Sequence, residues 1–409
     1  MSLPQFERHI SAGMTFFLAL CCGFLVANLY YSQPLAGPIS QALGMAPESA
    51  GLIVTLTQIG YVLGLLLVVP LADLIENRKL ILIMLVLTVV AVIGAALANS
   101  ALIFLAASVL IGVGAVAVQV IVPLAAHLAS EQTRGKVVGN VMSGLMFGIM
   151  LSRPVASFLA ELYDWHAVFI FSAAVMGVLG LAMRWMLPVR RPSSVLSYAE
   201  LLRSMGTLAL STPVLQRRAF YQAMMFGAFS LFWTTTPLVL AGPAFNLSQS
   251  DIALFALAGV AGAISAPLAG RVADAGWTRV ATIAAMLLAI FSVLATLVLP
   301  LGSTASLAVL VAAAVLLDFG VSGNVVLGQR AIYGLSADLR SRLNGLYMAT
   351  FFIGGAIGSV VGVWGYTHGG WLVAALIGAA MPALALFVLW LIEPPSEARV
   401  ASAVSISAK

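Results

Sequence analysis

Leu71-Ala72-Asp73-Leu74-Ile75-Glu76-Asn77-Arg78-Lys79 is a short polar break between two long apolar runs, 50–72 and 80–99. Crossing a bilayer core of roughly 30 Å takes about 20 residues of apolar helix, so each run is long enough to span. The same arrangement recurs along the chain. Further runs lie near 14–36, 102–126, 137–160, 166–187, 219–241, 251–272, 280–299, 305–330, 343–366 and 371–392. Turn and charge signals separate them, among them Glu48-Ser49, Asn99-Ser100, Asp164-Trp165 and Pro394-Pro395. The expected fold is an all-α membrane protein of twelve transmembrane helices.

Composition agrees. The 409 residues are 62% hydrophobic and only 8% charged, with mean hydropathy +1.09. Soluble domains carry roughly a quarter charged residues; too few charges are present here to cover a water-facing surface. Cys21 and Cys22 are adjacent and read as small packing residues. The run from Gly13 to Leu35 is too long for a signal-peptide core and reads as the first span.

Charge orients the spans. With the N-terminus inside, every Lys and Arg except Arg153 falls on one side of the membrane. Basic residues favour the cytoplasmic side, so both termini are expected in the cytoplasm, in a cell (inner) membrane. The one long connection, 188–218, contains Arg190-Arg191-Pro192, and its stretch 198–208 reads as an amphipathic surface helix. It divides the chain into six-helix bundles at 1–187 and 219–409.

These halves resemble each other. Tyr30-Tyr31-Ser32-Gln33-Pro34-Leu35 matches Trp233-Thr234-Thr235-Thr236-Pro237-Leu238, and Glu48 matches Asp251. Ala72-Asp73 matches Ala273-Asp274, the Ser130, Arg134, Lys136, Gly139 series matches Ser336, Arg340, Arg342, Gly345, and Trp165 matches Trp371. Five matches in order indicate a duplicated unit. Halves repeated in this way place a substrate site between them near the midplane.

With these features in place, the chain resembles the major facilitator superfamily, and within it the twelve-span drug/proton antiporter branch. The resemblance covers nearly the whole length. Its best motif is the loop between spans two and three, roughly G-x-L-A-D-R-x-G-R-K in the family; Leu71, Ala72, Asp73 and Arg78 fit it. The second copy, Gly270 to Arg279, keeps the opening glycine and Asp274. The resemblance implies that Asp73, Arg78, Arg134, Asp274 and Arg340 form a cytoplasmic gate. A carboxylate at a helix N-terminus is a sound latch, since it is stabilised there. Two family features differ: Ser108 stands where span four carries an arginine, and Arg153-Pro154 stands where span five carries Gly-Pro.

Two ionisable residues sit deep within spans. Such groups are costly in lipid and face a cavity or a partner. Asp318 lies mid-way along span ten and is the candidate proton carrier; permanent pairing between helices and direct substrate contact are the alternatives. Arg153 lies some sixteen residues into span five, roughly 24 Å along the helix. It keeps its charge. It is a candidate for holding an anionic substrate, for answering Asp318, for gating with Asp251, or for snorkelling to the interface.

Polar residues within spans add a candidate binding surface: Asn28, Tyr31 and Gln33 in span one, Gln58 and Tyr61 in span two, and Gln119 in span four. Gln222 and Trp233 in span seven, Asn324 in span ten, and Asn344 and Tyr347 in span eleven complete it. A mixed aromatic and polar pocket of this kind suits an amphipathic organic molecule. Tyr30 and Ser32 belong to the same polar run, and Pro34 interrupts its helix.

The expected activity is secondary transport of small organic compounds, coupled to protons and directed outward. Uptake of an organic anion and a non-transporting receptor are the alternatives. No enzyme motif, metal-ligand spacing or phosphate loop is present, so no metal or cofactor is expected. The expected partners are a small-molecule substrate, protons and the lipid bilayer, with no nucleic acid, for a chain acting as a monomer.

Overall fold

The structure is a computed structural model that describes residues 10–130, 133–192, 197–259, 265–336 and 339–392. Its elements are helical, and no strand occurs among the described residues. Helix α1 (Ala12–Ala27) starts at Ser11, whose side chain accepts from the Met14 N–H. It stops at Asn28, so the expected first span is in two pieces. Turns over 28–35 lead into α2 (Ala36–Ala42). The causes are local. Pro34 has no N–H to donate, and Asn28 Nδ2 folds back onto Phe24 O at 2.9 Å, taking up a carbonyl of the last turn.

α3 (Gly51–Leu63) continues through a π turn at Gly64–Val68 and a tighter 3₁₀ turn at Val69–Asp73. α4 (Asn77–Ala96) follows, then α5 (Ala101–Ala115) and α6 (Val118–Leu128), which together form the expected fourth span with a bend between them. Next come α7 (Arg134–Leu162), α8 (Trp165–Met186), α9 (Tyr198–Ser211) and α10 (Pro213–Ala241). The chain closes with α11 (Gln249–Ala256), α12 (Ser265–Asp274), α13 (Thr278–Ala295), α14 (Thr304–Tyr333) and α15 (Arg340–Ile392). Among the described residues, nine helical stretches are long and apolar enough to cross a membrane. The last of them runs for 53 residues and breaks at Gly369-Gly370, where Gly370 has φ 64°. The sequence expects two spans meeting at that point.

Apolar side chains cover the outside. Leu102 is 79% exposed, Trp185 82% and Trp390 75%, while Gln58, Gln222, Arg153 and Asp318 are buried. This inverts the partition of a water-soluble protein and fits a lipid surround. α10 is the most enclosed of the long helices. Its Phe226, Phe229 and Trp233 stripe therefore faces inward, where Phe226 stacks on Phe351 with ring centroids 3.8 Å apart.

Arg78, Lys79, Arg134 and Arg340 lie at one end of the helices, here the basic end; Glu48, Glu161 and Asp251 lie at the other, the acidic end. At the acidic end α3 lies directly on α15. Thr55 Oγ1 donates to Ala356 O at 3.0 Å and shares a hydrogen bond with Ser359 Oγ at 2.6 Å. A methyl group at Gly51 would sit 2.6 Å from Ser359 O, so only glycine permits this approach. The Gln249 N–H donates to Glu161 Oε2 at 2.9 Å, joining α11 to α7. Ala36, Ala50, Leu238 and Val363 pack together beside them.

At the basic end α9 spans the gap between elements far apart in sequence. Ser197 and Glu200 cap its start reciprocally. Tyr198 OH donates to Leu67 O at 2.8 Å, and Arg342 Nη1 donates to Ser204 Oγ at 2.6 Å.

Candidate functional site

Arg153 and Asp318, the two deep charges, come to one place. α7 brings Arg153, 2% exposed, and α14 brings Asp318, 4% exposed. The turns over 28–35 bring Tyr30 and Gln33, three residues apart, against Arg153. Its Nε donates to Gln33 Oε1 at 2.8 Å. Three rings surround the guanidinium: Trp233 at 4.3 Å from its carbon to the ring centroid, Phe229 at 5.0 Å and Tyr30 at 5.3 Å. Each such cation–π contact contributes about 0.5–2 kcal/mol, the upper value where water is excluded.

Asp318 is held by α10. The Trp233 indole N–H donates to its Oδ1 at 2.7 Å. A hydrogen bond to a charged group contributes about 1.5–3 kcal/mol. Asp318 and Arg153 attract each other across this indole, and among the described residues no direct ion pair joins them. The segment after α11 closes the remaining side. A methyl group built on Gly259 would stand 2.9 Å from Asp318 Oδ2, 3.1 Å from Trp233 Cζ2 and 3.4 Å from Arg153 Nη1. Two buried donors of this cluster, Arg153 Nη2 and Gln33 Nε2, have no protein partner among the described residues. An unpaired buried donor costs about 1–3 kcal/mol, so both are poised to hold an acceptor.

This geometry removes two readings of Arg153. Its burial excludes snorkelling. Asp251 does not face it, because its carboxylate accepts from Ser248 N and Oγ at the exposed start of α11.

The other candidate residues fall into separate groups. Asn324 Nδ2 donates to Gln222 Oε1 at 2.7 Å, one and a half turns beyond Asp318 towards the basic end. Gln58 Nε2 donates to Ser230 Oγ at 2.9 Å, linking α3 to α10. Gln119 Nε2 donates to Tyr61 OH at 2.9 Å, and the Tyr61 ring meets Phe352 at 4.5 Å. These pairs line the interior around the aromatic stripe.

Four candidates lie elsewhere. Asn28 accepts from Ser172 Oγ and is bound to its own helix, which makes it a tie between α1 and α8. Tyr31 packs with Leu35, Ile39, Phe104 and Trp165 in an apolar cluster. Asn344 accepts from Gln329 Nε2 and Tyr333 OH. Tyr347 packs with Leu215, Ala219 and Ile332. The last two tie α14 to α15 near the basic end.

The proposed gate residues at the basic end bond close to home. Arg78 donates to Leu187 O, Arg134 to Ala126 O and Arg340 to Tyr333 O. Asp73 is half-buried and takes no hydrogen bond among the described residues. The side chain of Asp274 lies outside the described residues. A separate cavity of about 760 Å³ opens at this end between Ser11, Met14, His127, Met186, Arg190 and Arg191.

Comparison with known proteins places this arrangement. The model of the Major Facilitator Superfamily matches residues 15–302 and, overlapping them, 218–405. The "Uncharacterized transporter YgaY" of Escherichia coli O157:H7 is 39% identical over 390 residues, 95% of this chain and 98% of that protein. The "Probable transporter SCO4007" of Streptomyces coelicolor is 32% identical over 366 residues, 88% of this chain and 84% of that protein. Among solved structures, the nucleoside transporter NupG superposes with a TM-score of 0.75 at 15% identity, covering 93% of this chain and all of that one.

Proposed function

The chain belongs to the Major Facilitator Superfamily, and we propose that it is a proton-coupled secondary transporter of small organic or amphipathic compounds, working by alternating access. In this reading twelve spans form two six-helix bundles, 1–187 and 219–409, which rock about the centre while the 188–218 linker keeps them together. Both termini are cytoplasmic, and the direction is export, on the likeness of the Asp73 loop to that of the drug/proton antiporters.

The observation that carries the reading is the meeting of Arg153 and Asp318 over one indole. They come from different bundles, so a change of charge at Asp318 alters the force between the moving parts. Charged, Asp318 answers Arg153 and holds Trp233. Protonated, it releases both. For export, proton and compound occupy the centre in turn, and the aromatic stripe with Gln58, Gln222 and Asn324 offers the compound stacking and amide contacts.

Transport into proteoliposomes under an imposed pH gradient tests this, with radiolabelled inosine as a neutral heteroaromatic probe and benzoate as an anionic one. The wild type should accumulate a transported probe at least tenfold over vesicles without a gradient, and Asp318→Asn should abolish that gain. Full accumulation by Asp318→Asn would remove Asp318 as the coupling site.

A second reading rests on Arg153 Nη2 and Gln33 Nε2, neighbouring buried donors without a protein partner among the described residues. They suit a carboxylate, and protonation of Asp318 leaves Arg153 in need of one. Uptake of an organic anion together with a proton follows. Accumulation of benzoate but not inosine, lost in Arg153→Ala, distinguishes it from export.

A further inference from the structure

Trp233 touches both buried charges with different parts of one rigid ring. Its edge N–H donates to Asp318 Oδ1 at 2.7 Å, and its face lies 4.3 Å from the Arg153 guanidinium carbon. An indole carries a single N–H donor and no acceptor. Because the bicycle is stiff, the N–H cannot swing away from Asp318 without the face turning under Arg153. We propose that Trp233 is a positioning residue that reads the charge of Asp318 and passes it to Arg153.

The surroundings leave the ring few other ways to respond. Phe232 meets it edge-on with centroids 5.9 Å apart, and Phe255 of α11 lies at 5.8 Å. Gly259 stands against its Cζ2 edge, against Asp318 Oδ2 and against Arg153 Nη1 together. The indole is thus clamped on its sides, and its settled orientation depends on the bond at its N–H. Among the described residues, the charged group facing Asp318 is Arg153 of α7, and the turns after α1 bring the neutral phenol of Tyr30 near it. α10 supplies the neutral indole.

With Asp318 ionised, the indole bond is charge-assisted and roughly twice as strong as a neutral one. The ring is then fixed, with its face turned to the guanidinium. When a proton from water binds the carboxylate, the bond weakens and the attraction between Asp318 and Arg153 ends. Both restraints on Arg153 relax in the same event. The donor is hydronium, whose O–H bond breaks as the carboxyl O–H forms, leaving water; no other covalent bond changes. Phe229 and Tyr30 also stack on Arg153 but donate no hydrogen bond to Asp318 among the described residues, so neither ties the guanidinium to the carboxylate as Trp233 does.

The inference rests on the proton-coupling reading, and its test uses protons alone as the probe. Tryptophan emission is recorded from pH 8 to pH 5 for the wild type, Trp233→Phe, Asp318→Asn and the double variant, each reconstituted in nanodiscs. The difference between wild type and Trp233→Phe isolates Trp233 from the other indoles. That difference should change sigmoidally with pH, and in the Asp318→Asn background it should be flat. A difference independent of pH in the wild type overturns the proposal. So does one that titrates equally with Asn at position 318, since Trp233 would then be reading another group. If Trp233→Phe does not fold, Trp233→Tyr supplies the reference. A transport arm separates this proposal from the reading beneath it. If emission titrates as expected but no probe follows a pH gradient in the wild type, the sensing stands and the coupling falls. Trp233→Phe should cut the ratio of accumulation with a pH gradient to accumulation without one at least tenfold, a ratio from which any loss of substrate affinity cancels. Accumulation undiminished in Trp233→Phe while the wild type responds overturns the proposal and leaves the coupling reading standing.

Discussion

The two ends of the helix bundle are built on opposite principles. At the acidic end, α3 and α15 share hydrogen bonds at Thr55, Ala356 and Ser359, with backbone approaching backbone at Gly51. At the basic end, Arg78, Arg134 and Arg340 each bond to a carbonyl of a neighbouring segment, and Asp73 holds no described residue. One end is sealed by short contacts between distant parts of the chain, the Glu161 carboxylate among them. At the other, these three arginines stay with neighbouring segments and the crossing is left to α9, through Tyr198 and Arg342. The difference teaches which contacts must break for the acidic end to open.

Gly51→Leu should break the contrast most strongly. Its side chain would meet the Ser359 carbonyl, and overpacking of this kind costs about 1–3 kcal/mol, enough for a change of roughly five- to 150-fold in the closed population. Labelling of Ala50→Cys by a membrane-impermeant maleimide reads the effect, because Ala50 is 2% exposed. Labelling at the unsubstituted rate would show that α3 and α15 do not seal this end. Thr55→Val should have a smaller effect in the same direction. It removes two hydrogen bonds while keeping the shape, at about 1 kcal/mol, or roughly a fivefold faster labelling.

The smallest expected effect sharpens the basic side. The Glu200 carboxylate is held below the usual carboxylate range by hydrogen bonds from the Ser197 N–H and hydroxyl. A depressed value means that the cap's contribution is present above the ordinary value, near 4.3, and is lost as pH falls through the folded one. The start of α9 should therefore stay protected at neutral pH and fray only in acid. Glu200→Ala should raise amide exchange over 198–203 a few-fold at pH 7 without changing the labelling of Ala50→Cys. A change in that labelling would mean that α9 governs the far end as well.

Much of this was legible in the sequence, because hydropathy and charge are properties of the chain itself. The runs and breaks near 77, 165 and 370 follow from what lipid and water each exclude. The helix at 198 announces itself through an amphipathic pattern, while its Ser197–Glu200 cap is a finding of the structure. Arg153 and Asp318 stood out because ionisable groups in apolar runs are rare. What was hidden depends on partners distant in sequence or on turn geometry. Asn28 looks like a cavity residue until Ser172 claims it. Tyr30 and Tyr31 are neighbours of one type, and only the unwound turn decides which faces Arg153 and which enters the apolar cluster. Asn344 and Tyr347 share a helix with cavity-facing positions but turn to α14. Gly259 carries no signal at all, since its role is the space it leaves.

The π turn at Gly64–Val68 has a consequence for the loop that follows it. A π turn holds one residue more than an α turn, and each residue of an α-helix advances the winding by about 100°. Its looser ladder leaves the Leu67 carbonyl to Tyr198. Were that bond to let go and the extra residue to be absorbed, everything beyond Val68 would swivel by about a quarter turn, Asp73 included. The aim of the Asp73 carboxylate is thus a matter of register beyond α3, wound or unwound by one notch, and the Tyr198 bond to Leu67 is the pawl that keeps the notch in place.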